Sequence, residues 1–504
     1  MRNLLRIVLR CCLALSLAGA TTFSTHAAEL PALSESAKPF SFVVLGDVHY
    51  TRPKFEVSKV IAGIARSVKD CQPPVAFVCQ TGDIAEGGTY GMKDGKRVYR
   101  QANHDEMKEE LAFAMKDVTE RFRLPLFIAV GNHDKHAGGK AFPEVALPLL
   151  SRELGVTVTQ NCYGFRYGNS CFVFLDFAAK DFDAQRKCAE ELLANARAAG
   201  VRHIFLFAHY PLWTLIRPGF SSQKFTDSLM PIFKQFPVDA FFCGHTHNTA
   251  AWVRHFDGAT ITQIQGVTCQ SSPELVPMEE RRTLMMPREE LSYYWGHLSG
   301  PPAGLYLVTV DGERVRVQFR SGAKMLREFE WREPGRITDT KKQEPRPSVV
   351  VTEATLKKAT AATLALCWWG EDGADIGVSL NGEHVAKARL DPTMRNSNAF
   401  ASEKRIPIPT EKLRLLRLAN DVTLGNPSRA IFGVGHAYLE IKLSDGRTAR
   451  TTVSNRFLFS ATQAEGESAG KTEGWKIIPS EALVSVNLGQ PLGPMRLIFA
   501  GNEK

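Results

Sequence analysis

Short apolar runs alternate with amphipathic patterns through the first half of the chain. Apolar residues spaced three and four apart predict helices, whereas short continuous apolar runs are typical of strands buried in a sheet. This alternation predicts a layered α/β fold with a largely buried sheet. The predicted strands lie at residues 40–45, 75–79, 125–130, 170–175, 203–208, 238–243 and 259–265, the helices at 57–69, 104–121, 184–199 and 222–236, and a closing hairpin at 305–310 and 314–319.

The character of the sequence changes after residues 333–347, a polar, charged and proline-bearing segment typical of a linker. Beyond it, strand-like runs are separated by turn signals such as Asn381-Gly382, with few helical patterns. We therefore expect an all-β sandwich over residues 348–504, with strands at 348–352, 361–369, 376–380, 430–443, 482–488 and 495–500. Trp368 and Trp369 are adjacent on a predicted strand, so one should pack into the core and the other should be partly exposed. The exposed ring would make this domain a candidate for binding a glycan, and another protein is the alternative partner.

The first 27 residues have the features of a secretory signal peptide. Arg2, Arg6 and Arg10 accompany an apolar run too short to span a bilayer, and Thr25-His26-Ala27 places small residues where a signal peptidase cleaves. We therefore expect residues 1–27 to be removed and the protein to be exported, either to the periplasm or as a secreted protein. An uncleaved anchor is the alternative, and no membrane span is expected after removal of this leader.

The net charge and the positions of the cysteines indicate which binding partners and which cysteine sites are to be expected. The formal net charge of +9 is spread over 504 residues, which is a weak field, so we expect no nucleic-acid partner. Of the ten cysteines, Cys79, Cys171 and Cys243 lie in apolar runs typical of buried thiols, and no C-x-x-C pair is present. Export would permit disulfides, but the sequence alone assigns no bridge and no cysteine metal site.

Five of the predicted strands end in residues that can bind metal ions. Because the carboxyl ends of strands line one crevice in an open α/β sheet, we expect these distant side chains to converge. Glycines precede four of the five blocks, as tight turns and close backbone approach require. In chain order the candidate ligands are Asp47, His49, Asp83, Asn132, His209, His245 and His247.

The chemistry of this set favours a pair of metal ions. Carboxylate oxygen, amide oxygen and imidazole nitrogen, without thiolates, suit Mn, Fe or Zn. Seven ligands are too many for one tetrahedral zinc, but they suit two ions that share a bridging carboxylate, as in two-metal hydrolases. We therefore expect two divalent or trivalent metal ions as cofactors and a small phosphoester as substrate.

The ordered set D-x-H, G-D, G-N-H-D, a lone histidine and G-H-x-H resembles the calcineurin-like metallophosphoesterase superfamily over about residues 40–320. The resemblance implies a layered αββα-type catalytic domain, here over residues 28–332, before the linker at 333–347 and the β-sandwich at 348–504. It also implies a phosphoesterase that works by direct in-line attack of a metal-bridging hydroxide, without a covalent enzyme intermediate.

Individual roles follow from the resemblance, motif by motif. Asp83 would bridge the two ions, and His133 would stabilise the developing charge or protonate the leaving oxygen. In the superfamily a carboxylate often orients this histidine, and Glu86 and Asp134 are both candidates. His136 is expected to face solvent, like His104, His255 and His297, although Lys135 and His136 follow the third block closely enough to touch a phosphate. One ion would be held by Asp47, His49, Asp83 and His247, and the other by Asp83, Asn132, His209 and His245.

Departures from family patterns narrow the subclass. The purple acid phosphatases place a tyrosine shortly after the bridging aspartate, where this chain has Ile84, Ala85 and Glu86, so that subclass is disfavoured. Gly87 stands where protein phosphatases have an arginine, which disfavours phosphoprotein substrates. The shortage of arginine in the five blocks favours diesters or pyrophosphates over monoesters, although both ester classes stay open.

Two alternatives remain at this stage. The chain could be a catalytically inactive phosphoesterase scaffold that acts as an exported binding or adhesion protein, with the sandwich as its working part. Residues 279–288 could form a lid over the crevice or a solvated, charged excursion, and the second reading is favoured.

Overall fold

A computed structural model of the chain describes most of the residues between Leu30 and Phe499. No helix within the described residues is long and apolar enough to cross a membrane. The described residues are 30–36, 38–52, 55–93, 96–176, 181–214, 221–266, 268–269, 290–296, 304–341, 351–369, 373–391, 402–430, 432–451, 457–461, 483–487 and 490–499.

Two large sheets form the centre of the first part of the chain. In the first sheet the neighbours β2, β3 and β6 run parallel, which brings their carboxyl ends to the same edge. In spatial order this sheet contains β17 (Thr338–Lys341), β16 (Lys324–Trp331), β15 (Arg314–Ser321), β14 (Leu305–Asp311), β2 (Phe40–Leu45), β3 (Val75–Gln80) and β6 (Leu126–Ile128).

The second sheet also has a parallel centre, where β8, β9, β10 and β12 run in the same direction. In spatial order it contains β1 (Ala32–Ser34), β7 (Tyr163–Tyr167), β8 (Ser170–Phe174), β9 (His203–Phe207), β10 (Ala240–Cys243), β12 (Ala259–Gln265), β11 (Ala250–Phe256) and β13 (Leu291–Gly296). A separate two-stranded ribbon consists of β4 (Gly88–Lys93) and β5 (Lys96–Gln101).

Phenylalanine side chains fill the space between the two sheets. Phe42 from β2 and Phe172 from β8 meet edge to face, with ring centroids 5.1 Å apart, and both rings are fully buried. Phe77 and Phe207 belong to the same buried cluster. Aromatic pairs of this geometry contribute beyond the area that they bury, so this layer holds the two sheets face to face.

Helices cover the outer faces of both sheets. The buried faces of α1, α2 and α3 pack on the first sheet, where Ile61 and Leu111 join Val43, and those of α4 and α5 pack on the second. Asn103 begins α2 with a capping box that includes Glu106. The helices are α1 (Val57–Val68), α2 (His104–Phe122), α3 (Ala141–Leu154), α4 (Phe182–Ala198) and α5 (Gln223–Gln235). The order helix, sheet, sheet, helix confirms the predicted αββα layering.

The C-terminal part contains two further sheets, whose apolar faces contribute to one buried cluster. This arrangement agrees with the predicted β-sandwich, and a short helix, α6 (Glu353–Leu356), precedes it. One sheet has the order β21 (Ser402–Ile408), β18 (Ala359–Trp369), β23 (Phe432–Leu443), β25 (Phe457–Ala461) and β26 (Leu483–Asn487), with β24 (Thr448–Arg450) on β23; the other has β20 (Glu383–Leu390), β19 (Ala374–Leu380), β22 (Ala419–Gly425) and β27 (Leu492–Ile498).

The structure differs from the sequence-based expectations at several places: it adds the helix α3 and the ribbon of β4 and β5, which the sequence did not predict, and it departs from the expectations at three further points. Residues 338–341 were predicted as linker but form β17, because their backbone pairs with β16. A disulfide joins Cys162 to Cys188, although the sequence assigned no bridge. Of the predicted strand at 348–352, the described residues Val351 and Thr352 are not in a strand.

Other expectations lie wholly or partly outside the described residues. The leader at 1–27 and the segment at 279–288 are both outside them. Trp368 is buried in the core of the sandwich, as predicted for one of the two tryptophans, whereas the side chain of Trp369 is outside the described set.

Candidate metal centre

The seven predicted ligands lie at the carboxyl ends of five strands from the two large sheets. Asp47 and His49 follow β2, Asp83 follows β3 and Asn132 follows β6, while His209 follows β9 and the pair His245 and His247 follows β10. Since the two sheets pack face to face, these ends meet at one edge of the molecule. Three overlapping groups of side chains there have ligand atoms within 4.8 Å of one another: Asp47, His49 and His247; His49, Asp83 and His133; and Asp83, His209 and His245.

Five of these residues have a left-handed backbone, which is uncommon for residues other than glycine. Their φ angles are positive, and they cluster where the strands turn sharply into the site. The values are 49° for Asp47, 54° for His49, 54° for Asp83, 71° for His245 and 52° for His247.

The preceding glycines permit a very close approach of these turns. A Cβ atom on Gly82, whose φ is +98°, would lie 2.7 Å from Nδ1 of His209. A Cβ atom on Gly46 would lie 2.6 Å from Oγ1 of Thr81. Any side chain at these positions would push neighbouring strand ends apart, which explains why the motifs carry glycine.

The first group of ligand atoms centres on Nε2 of His49. This atom lies 3.2 Å from Nε2 of His247 and 4.0 Å from Oδ1 of Asp47. The carboxylate of Asp47 also accepts the backbone N–H of His245, at 2.9 and 3.0 Å from its two oxygens. Asp47 is fully buried, so the lone pairs of its carboxylate that accept no backbone N–H face the imidazoles of His49 and His247.

The second group centres on Nε2 of His209. This atom lies 3.0 Å from Oδ1 of Asn132, 3.1 Å from Oδ2 of Asp83 and 3.2 Å from Nδ1 of His245. The same oxygen of Asp83 lies 3.9 Å from Nε2 of His49. Asp83 therefore stands between the two groups, as a bridging carboxylate must.

The hydrogen bonds of two histidines indicate which ring nitrogen is available. Nδ1 of His209 lies 3.0 Å from the carbonyl oxygen of Thr81, an acceptor, so the proton belongs on Nδ1. Nδ1 of His49 lies 2.9 Å from the carboxylate of Glu86, which fixes that ring in the same way. Both Nε2 lone pairs then point at carboxylate, amide or imidazole acceptors. Lone pairs that face one another need a cation between them, so the donor set fits metal ions.

Without metal ions, protonation of the histidines compensates the negative charge of the buried carboxylates. Burial lowers the pKa of His49, but the hydrogen bond to Glu86 and the charge of Asp83 outweigh it and raise the pKa to about 9. Burial opposes protonation of His209 too, and the charge of Asp83 again raises its pKa to about 9. Burial raises the pKa of Asp47 to about 6. Burial also opposes ionisation of Asp83, but the charges of His209 and His133 hold its pKa well below the usual range.

The structure places His133 beside the first group, where it is a neighbour of the ligand atoms. Its ring centroid lies 4.8 Å from that of His49, and its side chain is 25% exposed. Its Nδ1 lies 2.7 Å from the backbone carbonyl oxygen of Glu86, which places the proton on Nδ1 and leaves Nε2 for another partner. Its backbone N–H donates to Oδ1 of Asp83 at 2.8 Å.

Neither candidate carboxylate makes its main contact with the imidazole of His133. The Glu86 side chain contacts His49 at 2.9 Å and lies 3.9 Å from Nδ1 of His133. Asp134 is buried and accepts the backbone N–H groups of Asp83, Ala85 and Gly131, at 2.8, 3.1 and 2.8 Å. The expectation that Asp134 orients His133 is therefore not met, because its oxygens hold the turns together.

Sequence reasoning missed several partners that are now visible. The backbone carbonyls of Thr81 and Glu86 orient His209 and His133, and nothing in a side-chain motif marks a carbonyl. Lys135, expected near a phosphate, instead forms an ion pair with Asp176 at 2.7 Å. His136 lies 3.1 Å from the carbonyl oxygen of Gly87 and 3.2 Å from the hydroxyl of Tyr99, a residue on the unpredicted ribbon.

Known proteins resemble this chain in the same region. Residues 40–249 match the family model described as calcineurin-like phosphoesterase. Tartrate-resistant acid phosphatase type 5 from Mus musculus is 23% identical over 184 residues, which cover 32% of this chain and 56% of that protein. The chain thus spans about half the length of this curated relative.

Two solved structures match part of the chain at low identity. The structure of PhoD is 10% identical, with a TM-score of 0.43, and the match covers 63% of this chain and 74% of that one. The purple acid phosphatase PPD1 from yellow lupin (Lupinus luteus) seeds is 11% identical, with a TM-score of 0.41 and coverage of 60% and 55%. The family match spans all five metal-binding blocks, from Asp47 to His247. The match over residues 40–249 is consistent with the resemblance to the calcineurin-like phosphoesterases that the sequence motifs carry.

Proposed function

We propose that this protein is an exported, metal-dependent phosphoesterase that hydrolyses phosphodiester or phosphomonoester bonds. The observation that carries the proposal is the convergence of two imidazole lone pairs, on His49 and His209, around the shared carboxylate of Asp83. Two metal ions bound there would lower the pKa of a water molecule and polarise a phosphoryl oxygen. Asp47, His49, Asp83 and His247 would hold one ion, and Asp83, Asn132, His209 and His245 the other.

The residues around the centre support hydrolysis by their own chemistry. His133 is partly exposed and adjacent to the ligands, so it can contact a phosphoester bound at the open side of the site. With Nδ1 bonded to the carbonyl oxygen of Glu86, its Nε2 can donate a proton to the leaving oxygen when the ring is charged. Thr81 and Glu86 hold the ligand rings in fixed orientations, which is how surrounding hydrogen bonds support metal sites.

The charges near the site favour a diester over a monoester. Lys135 is paired with both oxygens of Asp176, at 2.9 and 2.7 Å, so its charge is already compensated. A diester carries one negative charge on its phosphoryl group where a monoester carries up to two, and it needs fewer cationic partners. Export rests on the arginine-containing leader at residues 1–27 and predicts a mature N-terminus at Ala28.

Metal analysis combined with ester hydrolysis tests the function. We expect purified protein to bind about two metal ions per chain and to hydrolyse p-nitrophenyl phosphate, bis-p-nitrophenyl phosphate or both. His209→Gln should lose metal and activity together, while His255→Gln, at an exposed histidine on β11, should change neither. Metal-replete protein that is inactive on every ester would instead favour the inactive binding scaffold.

A further inference from the structure

The ribbon formed by β4 and β5 emerges directly after the turn that carries Asp83 and Glu86. It belongs to neither large sheet. Tyr90 and Tyr99 are directly opposite one another in its antiparallel register, so they share one face, and their ring centroids lie 5.0 Å apart. Met92 lies two residues beyond Tyr90 and therefore faces the same way.

Hydrogen bonds join this face of the ribbon to the proposed catalytic histidine. The hydroxyl of Tyr99 donates to the carbonyl oxygen of Glu86 at 3.0 Å, the same oxygen that accepts from His133. The hydroxyl also lies 3.2 Å from Nδ1 of His136. The ring of His136 in turn lies 4.9 Å from that of His133. A continuous line of rings thus runs from His49 through His133 and His136 to Tyr99.

Exposure rises along this line. The side chain of His49 is 8% exposed, and that of His133 is 25% exposed. On the ribbon, Tyr90 is 48% exposed and Met92 is 71% exposed. The site therefore opens to solvent on the side of His133, and the ribbon linked to it through His136 and Tyr99 carries exposed Tyr90 and Met92.

We propose that Tyr90, Tyr99 and His136 form a subsite for the leaving group of the substrate, and that they select alcohols that carry a planar ring. This inference rests on the proposed function, in which His133 gives its proton to the leaving oxygen. In that reaction the P–O bond to the alcohol breaks, phosphorus gains a hydroxyl from water, and the alcohol gains the proton. The departing group must lie beside His133, whose ring neighbour towards the ribbon is His136, at 4.9 Å, followed by Tyr99, 6.1 Å from His136.

A planar ring is the chemistry that this surface recognises. Tyrosine and histidine rings stack on nucleobases and aryl groups, largely without regard to sequence or substituent. In a nucleoside leaving group, the sugar separates such a ring from the ester oxygen. A small alkyl alcohol could not reach past His133, so the subsite would distinguish the two classes.

Binding of a product analogue tests the subsite without turnover. Equilibrium dialysis of labelled adenosine and labelled ribose against the full-length, metal-loaded protein should show at least a tenfold preference for adenosine. Tyr90→Leu should lose most of that preference, and Tyr90→Phe, which keeps the ring, should retain it. Phe113→Leu is the matched control, because Phe113 is also a partly exposed aromatic residue but lies on α2 against Phe55. Thermal unfolding and metal content should be unchanged in Tyr90→Leu.

Hydrolysis gives a second readout. The ratio of kcat/KM for adenosine 5′-monophosphate to that for ribose 5-phosphate should fall about tenfold in Tyr90→Leu. Equal binding of adenosine and ribose by the wild-type protein would overturn the subsite, as would an unchanged preference in Tyr90→Leu. Failure of the proposed function is distinguishable, because it would abolish hydrolysis while the dialysis preference could still be measured.

Discussion

The carboxylate of Glu86 lies 2.9 Å from Nδ1 of His49. A side chain that the sequence offered as one of two candidates to orient His133 thus contacts a predicted metal ligand. Its backbone carbonyl serves His133 instead, at 2.7 Å from Nδ1. One residue therefore orients two imidazoles through two different groups, and substitution of its side chain should affect only one of them.

Glu86→Gln should weaken metal binding by about 10- to 100-fold, because loss of a charged partner to a ligating histidine has effects of that size. Activity should return largely to the wild-type level at saturating metal, since the carbonyl that orients His133 remains. Metal titration of the chelator-treated protein measures the change. Glu120→Gln, at an exposed glutamate on α2, is the control. Activity that stays low at saturating metal would place the Glu86 side chain in the chemistry itself.

His133→Gln should reduce kcat by about 10²- to 10⁴-fold, the usual contribution of general acid–base catalysis. Metal content should stay near normal, because the ring nitrogen of His133 bonds to the carbonyl oxygen of Glu86 and its link to Asp83 runs through the backbone N–H. Elemental analysis and steady-state kinetics on the same preparation test both statements. Loss of metal in this variant would make His133 a ligand.

Asp134→Asn should destabilise the fold by about 1–3 kcal/mol, the cost of leaving a buried hydrogen-bonding group unsatisfied. The wild-type carboxylate accepts three backbone N–H groups, whereas an asparagine would direct its own NH₂ at one of them. The free energy of unfolding in urea measures this loss. Asp227→Asn on α5 offers an exposed control. An unchanged free energy would show that the turns do not depend on Asp134.

The metal-free protein should lose stability as the pH rises from about 6.5 to about 9. The pKa values of His49 and His209 are raised from 6.5 to about 9 in the folded chain, after burial is outweighed by neighbouring carboxylates. A group with a raised pKa contributes its full stabilisation below the unfolded value and loses it as the pH approaches the folded value. Metal ions bound at the proposed site would replace these protons. The midpoint temperature of unfolding should therefore fall with pH in this window for metal-free protein, and much less for metal-loaded protein. Parallel pH profiles would contradict the assignment.

The sequence was sufficient to predict that the candidate ligands lie close together, but not which side chains hydrogen-bond to one another. Asp83 and His209 lie at the ends of buried strands, and parallel strands bring their carboxyl ends together, so their proximity follows from topology. Whether Glu86 or Asp134 reaches His133 depends on the left-handed turns that aim each side chain. Those turns become visible only once both sheets are in place.

The hydrophobic pattern also did not predict elements whose amino-acid composition is unusual for a helix or a strand. The α3 helix contains Pro148 and follows Gly138 and Gly139, which obscured its periodicity. The ribbon is rich in glycine and charge, so its sequence did not predict strands. The partners Cys162 and Cys188 are 26 residues apart, the first just before β7 and the second on α4, and only tertiary structure brings them together.

The left-handed residues of the centre constrain any attempt to transplant it. Asparagine, aspartate and glycine tolerate such a backbone, whereas β-branched residues are sterically unfavourable there, whether or not a metal ion is bound. A graft that copies only the seven side chains onto ordinary strand ends would aim them in the wrong directions. A design that transfers this centre to another scaffold must therefore reproduce the left-handed turns at Asp47, Asp83 and His245. It must also keep the seven side chains that these turns help to orient.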